Sequence, residues 1–133
     1  MNMGGWVKLY YNLLNWEWYG DTNVVRVFLH CLLKANYQTK KWQGITVERG
    51  QFITSRELLA RELNLSERSI RTAISKLKIT GEITIKSTSR YSVVTVCNYA
   101  EYQQNETDND QQNDQQNDQQ TTSKRPQLKK EKK

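Results

Sequence analysis

The sequence has 133 residues, with 20 Lys or Arg against 14 Asp or Glu and a formal charge of +6, a length that fits one domain and a tail. Apolar residues make up 36% of it, yet beyond Tyr102 the only apolar residue is Leu128 and there are no aromatics. Residues 1–102 are therefore expected to fold as one domain, and residues 103–133 to form a disordered Asn/Asp/Gln-rich linker with a basic C-terminal end. No apolar run approaches the eighteen or so residues of a membrane span, and the first residues show no signal-peptide pattern, so a soluble cytoplasmic protein with no membrane partner is expected.

Residues 1–102 hold fourteen basic and eight acidic side chains, while the tail holds six of each. The folded part thus carries the net charge that attracts an anionic partner. Cys31 and Cys97 sit in apolar stretches with no second Cys or His at metal-ligand spacing, which reads as core thiols in a reducing compartment rather than a disulfide or zinc site. His30 precedes Cys31, but adjacent helix residues point different ways, so a Cys-His catalytic pair is not expected. There is no Gly-rich phosphate loop, His-Glu-x-x-His or nucleophile elbow. The chain does not read as an enzyme and suggests no cofactor.

The spacing of Leu9, Leu13, Leu14 and Trp16 predicts a first helix over residues 6–18, ending near Gly20. Asp21 or Thr22 caps a second helix with an apolar face of Val24, Val25, Phe28, Cys31, Leu32 and Ala35, running to about Tyr37. A polar connection, Lys40-Lys41-Trp42-Gln43-Gly44, follows. Residues 45–47 and 51–54, around Glu48-Arg49-Gly50, read as a small hairpin or one bent strand. Ser55 or Thr54 begins a third helix with Leu58, Leu59 and Leu63 inward, stopping at Asn64-Leu65. Ser66 caps a fourth, whose inner face is Ile70, Ala73, Ile74 and Leu77 and whose left-handed stop is Gly81. Two strands, 82–86 and 91–96, flank the polar turn Ser87-Thr88-Ser89-Arg90. The order is mainly α with a small β-sheet, an α+β winged helix-turn-helix.

The third and fourth helices are joined by only about three residues, which makes them cross steeply and leaves the fourth projecting. Such a helix fits a major groove about 12 Å wide. Off its apolar face lie Arg68, Ser69, Arg71, Thr72, Ser75, Lys76 and Lys78, together with one anion, Glu67. Arg68, Ser69, Arg71 and Thr72 occupy the N-terminal half that approaches base edges. Arg68 and Arg71 are candidates for bidentate contacts to guanine, and Lys76 and Lys78 for phosphates. Lys86 and Arg90 near the hairpin tip complete a candidate wing. Double-stranded DNA is the expected partner. Trp6, Trp16 and Trp18 crowd the start of the chain; two are expected in the core, and an exposed third would mark a self-association or partner surface, so a homodimer is one expected state.

Gly5-Trp6-Val7-Lys8-Leu9-Tyr10, Asn15-Trp16-Glu17-Trp18-Tyr19, Phe28-Leu29-His30-Cys31-Leu32-Leu33-Lys34-Ala35-Asn36, Trp42-Gln43-Gly44-Ile45, Leu63-Asn64-Leu65-Ser66 and Thr80-Gly81-Glu82-Ile83 together resemble the N-terminal domain of phage replisome organisers and DnaD-like replication initiation proteins. The likeness covers about residues 4–103. It implies a winged-helix domain that binds a phage or plasmid origin, or a replication partner, and helps recruit the replicative helicase or its loader. Full-length members usually continue through a polar linker into a second, helical domain associated with single-stranded DNA and helicase loading. This sequence stops after the linker, and helicase loading by this polypeptide alone is not expected.

The tail carries three Asn-Asp-Gln-Gln units between Asn109 and Gln120, then Lys124-Arg125 and Lys129-Lys130-Glu131-Lys132-Lys133. The repeat buries nothing and reads as linker; the basic end is a candidate for salt-sensitive, nonspecific nucleic-acid contact. Two alternatives stand beside origin binding. One is a transcriptional regulator of the same fold. The other is a protein-interaction module that dimerises or recruits a helicase without binding DNA.

Overall fold

A computed structural model describes residues 5–103; the linker, its repeats and the basic end lie outside the described residues. The chain forms a 3-10 helix (Tyr11–Asn15), α1 (Thr22–Lys34), β1 (Lys40–Trp42), β2 (Ile45–Val47), β3 (Gln51–Thr54), α2 (Arg56–Leu63), α3 (Glu67–Ile79), β4 (Ile83–Ser87), β5 (Ser92–Val96) and a one-turn α4 (Tyr99–Tyr102). It is an α+β winged helix-turn-helix: α2 and α3 form the helix-turn-helix, and the antiparallel hairpin β4–β5 is the wing.

Each long helix starts where a side chain satisfies a free backbone donor. Asp21 accepts from the Val24 N–H at 3.2 Å, Ser55 from Leu58 at 3.1 Å and Ser66 from Ser69 at 3.0 Å. The ends are as definite. Asn64, at φ 56°, turns the chain out of α2, and Gly81, at φ +84°, lets the Glu82 N–H reach back to the Leu77 carbonyl at 3.0 Å and closes α3.

The buried faces of α1, α2 and α3 meet one face of a three-stranded sheet of order β3-β5-β4. Phe28, Leu32, Leu59, Ile70, Leu77, Ile83 and Val94 are all at most 1% exposed, each contributing roughly 1.5–3 kcal/mol by leaving water. The register aligns Ile83 with Val96, Ile85 with Val94, and Phe52 with Val94. Because side chains alternate across a strand, that face is the core, and Thr84, Lys86, Val93 and Thr95 lie on the other.

Three expectations are corrected. Residues 6–18 do not form an α-helix: residues 6–10 have no regular structure, Tyr11–Asn15 is a single 3-10 turn, and a second turn begins at Glu17. Here long-range bonds override local periodicity. The Lys8 N–H donates to the Tyr102 carbonyl at 2.6 Å and the Tyr10 hydroxyl to the Glu101 carbonyl at 2.7 Å. The indoles of Trp16 and Trp18 donate to Glu82 at 3.0 Å and Thr80 at 2.9 Å. Second, α1 ends at Lys34 rather than near Tyr37. Asn36 is bonded to Gly50 and Gln51 instead, through its backbone and its side-chain amide, and Val27, not Val25, is fully buried. Third, residues 45–47 and 51–54 do not pair with each other. Ile45–Val47 pairs with Lys40–Trp42, part of the expected polar connection, whereas Gln51–Thr54 joins the wing sheet beside β5.

Among the described residues no helix is long and apolar enough to cross a membrane. Cys31 is in the core, where burial pushes its thiol up to about 12 and keeps it protonated.

Candidate nucleic-acid interface

At about 100° per residue, the buried Ile70, Ala73 and Leu77 fix which way every other side chain of α3 faces. Arg71, Ser75 and Lys78 fall on the flank towards the wing. Arg68 and Thr72 form the exposed crest. Ser69 and Lys76 fall on the opposite flank.

The wing-side flank is one wall of an open groove of about 630 Å³, bounded also by the start of α2 and by the β4–β5 hairpin. Its floor is apolar, with Leu59, Ile74, Ile85 and Val94, and its lip is rich in hydroxyls, including Ser55, Ser75, Ser87, Thr88 and Ser89. The hairpin tip is fixed by Thr88, whose hydroxyl accepts from the Arg90 and Tyr91 N–H groups, both at 3.2 Å, while the Thr88 N–H donates to the Tyr91 carbonyl at 2.8 Å. The turn thereby sets Arg90 on the groove's rim.

No family model, curated protein or solved structure matches this chain.

Of the nine residues expected from the sequence, the fold brings Arg71, Ser75, Lys78 and Arg90 together around the groove. Arg68 and Thr72 stay exposed beside them on the crest. Ser69 faces away from the groove and its hydroxyl accepts from that of Ser66 at 3.0 Å. Lys86 projects from the outer face of the sheet, since Ile85 and Ser87 on either side take the groove face. Lys76 differs most from its expected role as a phosphate contact. Its ammonium is 2.7 Å from Asp21 and 5.4 Å from the centre of the Trp18 ring. It joins the last turns of α3 to the start of α1, and its hydrogen bond holds the Asp21 carboxyl below the usual carboxylate range.

Three charged groove residues were given no site role from the sequence: Arg56, Glu57 and Glu67, the last noted only as the anion among the outward residues of its helix. Arg56 and Glu57 directly follow the Ser55 cap, so the cap was the available signal. The wing's brace was also missed. Trp42 of the β1–β2 hairpin meets Tyr91 edge-on at 5.3 Å between ring centres, a contact between residues too distant in sequence for any local pattern.

The groove thus presents four cations, Arg56, Arg71, Lys78 and Arg90, with two carboxylates. None of the six is ion-paired with another described residue; of the helix cations outside the groove, Lys34 and Lys76 are paired with Glu62 and Asp21, while Arg26, Arg61 and Arg68 are likewise in no ion pair with a described residue. Cations left unpaired in a concave site focus a field that draws in a polyanion. His30 belongs to the other class of site: its Nε2 lies 3.0 Å from Glu62, tying α1 to α2 as a structural residue.

Proposed function

We propose that this protein binds duplex DNA, with α3 directed at a major groove and the β4–β5 wing beside it, and that it acts in replication initiation of a phage or mobile element within the cytoplasm. The observation that carries the binding half of this reading is the unpaired cationic set Arg56, Arg71, Lys78 and Arg90 around one groove at the helix and wing. A DNA strand passing between helix and wing brings phosphates to Arg56, Lys78 and Arg90 and to the lip hydroxyls, while Arg71 and the exposed crest of α3 meet base edges. The replication half rests on the resemblance of residues 4–103 to phage replisome organisers and DnaD-like proteins, which also suggests a replicative helicase or its loader as a partner. A transcriptional regulator of the same fold makes the same contacts at a promoter; footprints within a replication gene or repeated origin favour replication, and footprints over a promoter favour regulation.

The test is a fluorescence-anisotropy titration of the full chain against duplexes at several salt concentrations, beside the Arg71→Ala, Lys78→Ala, Arg90→Ala triple variant. Salt-steep binding weakened in a folded variant supports the reading; equal binding by both opposes it.

One observation favours a second, additional role. Trp16 and Trp18 pack against the core, but Trp6 is 65% exposed, and Tyr11 at 93% and Leu14 at 60% lie on the same segment. Apolar surface left open in this way supports a self-association or partner surface. Sedimentation velocity on the full chain and on Trp6→Ser, Tyr11→Ser is the check: a dimer lost in the variant supports it, and a monomer in both rejects it.

A further inference from the structure

Resting on the duplex-DNA reading above, we infer that Glu67 is a specificity-determining residue that accepts from the exocyclic amine of a cytosine, while Arg71 one turn later donates to a guanine.

Glu67 is the first residue of α3, and both it and Arg71 are exposed and line the same groove. At four residues' separation they stand on neighbouring turns of one face. A carboxylate in a groove otherwise furnished with cations opposes phosphate binding, and no described cation is paired with it. A DNA ligand offsets that repulsion only by presenting a hydrogen-bond donor. In the major groove the donors are the cytosine N4 and adenine N6 amines. The adenine amine is bordered on its own base by the N7 acceptor, which an amide side chain satisfies and a carboxylate repels; cytosine N4 is the fitting partner for Glu. The start of a recognition helix is the part that meets base edges, which is where Glu67 lies. Arg71 is about 6 Å further along the axis, within two base-pair rises of about 3.4 Å. The pair therefore addresses a cytosine and a guanine at neighbouring positions. Glu57, the other groove carboxylate, is on α2 and has no such place on the reading helix.

A first-turn Glu also suits the helix dipole, and that role has no effect on base preference. The experiment is selection of duplexes with a randomised core by the full chain, for wild type, Glu67→Gln, Glu67→Ala and Arg71→Ala, with circular dichroism melts to confirm folding. Glu67→Gln is expected to switch one position from cytosine to adenine by at least about fivefold, because an amide pairs with adenine N6 and N7, and to leave the guanine preference intact. Arg71→Ala is expected to lose the guanine preference alone. If both Glu67 variants bind every duplex more tightly with unchanged base preference, the carboxylate merely repels phosphate and the inference is overturned while DNA binding stands. Absence of salt-sensitive duplex binding by the wild type overturns both.

Discussion

Lys76 and Asp21 are joined at 2.7 Å across the interface of α3 and α1, with the Lys76 ammonium held over the Trp18 ring. The same carboxylate caps α1 through Val24. One acidic side chain thus starts one helix and ties it to α3. Both partners are about one-third exposed, so solvent screens the pair. Lys76→Ala is expected to cost about 0.2–1 kcal/mol of stability and to leave duplex affinity close to wild type, unlike Arg71→Ala. Asp21→Ala loses the cap as well and is expected to cost about 1 kcal/mol more. Urea denaturation of the two single variants and the double variant reads the coupling directly.

The Asp21 contribution has a defined pH dependence. The Lys76 hydrogen bond and the Val24 N–H lower the carboxyl below its ordinary value of 3.8, so its stabilisation is fully present above that value and fades as pH falls through the lower folded value. Wild type should therefore exceed Asp21→Asn in stability at pH 7 by an amount that shrinks only below about pH 4. A gap already closed at pH 6 contradicts the assignment.

The turn between α3 and the wing is held by the first segment of the chain. Trp16 donates to Glu82, Trp18 to Thr80, and Thr80 in turn to Glu82. A hydrogen bond to a charged acceptor contributes about 1.5–3 kcal/mol. Trp16→Phe keeps the ring against Phe28, 5.1 Å away, and removes the donor, so thermal unfolding should show a loss near the lower end of that range. A change within error assigns the interaction to packing alone.

How far this architecture was legible depended on whether local chemistry and long-range packing agreed. For α2 and α3 they did: Ser55, Ser66 and Gly81 marked ends, and Ile70, Ala73 and Leu77 marked the inner face. The wing likewise followed from alternation at Ile83 and Ile85. Residues 6–18 misled because Leu9, Leu13 and Trp16 satisfy helical spacing, while the bonds that hold the segment in place reach partners at Tyr102 and Glu82. Strand β3 was recognised as a strand but given the wrong neighbour, since its partner β5 lies some forty residues on. In the site, the sign and helix of the cations were legible; which flank of α3 faces the wing, and that Lys76 on the other flank meets Asp21 and Trp18, were not, because those partners are far away in sequence.

The two cations of the wing should behave differently. Arg90 lines the groove and Lys86 lies on the outer sheet face. Arg90→Ala is expected to weaken all duplexes alike and to reduce the salt slope by about one unit. Lys86→Ala is expected to change neither. Equal effects from the two place the duplex across the outer face of the wing.

Gly50 offers a test of the fold away from the groove. Its φ of +86° is in the left-handed region, and a Cβ there would stand 3.0 Å from the Tyr99 Cβ. Gly50→Ala should cost at least about 1–2 kcal/mol from backbone strain, read from the chemical denaturation midpoint, with the duplex salt slope unchanged.

The most direct test of the central claim is the salt dependence of duplex affinity for the full chain against the Arg71→Ala, Lys78→Ala, Arg90→Ala variant. If the groove binds DNA, the slope of log affinity against log salt falls by about two units in the variant, while its melting profile stays that of a folded protein. Identical slopes and affinities for the two proteins contradict the groove as the DNA-binding surface.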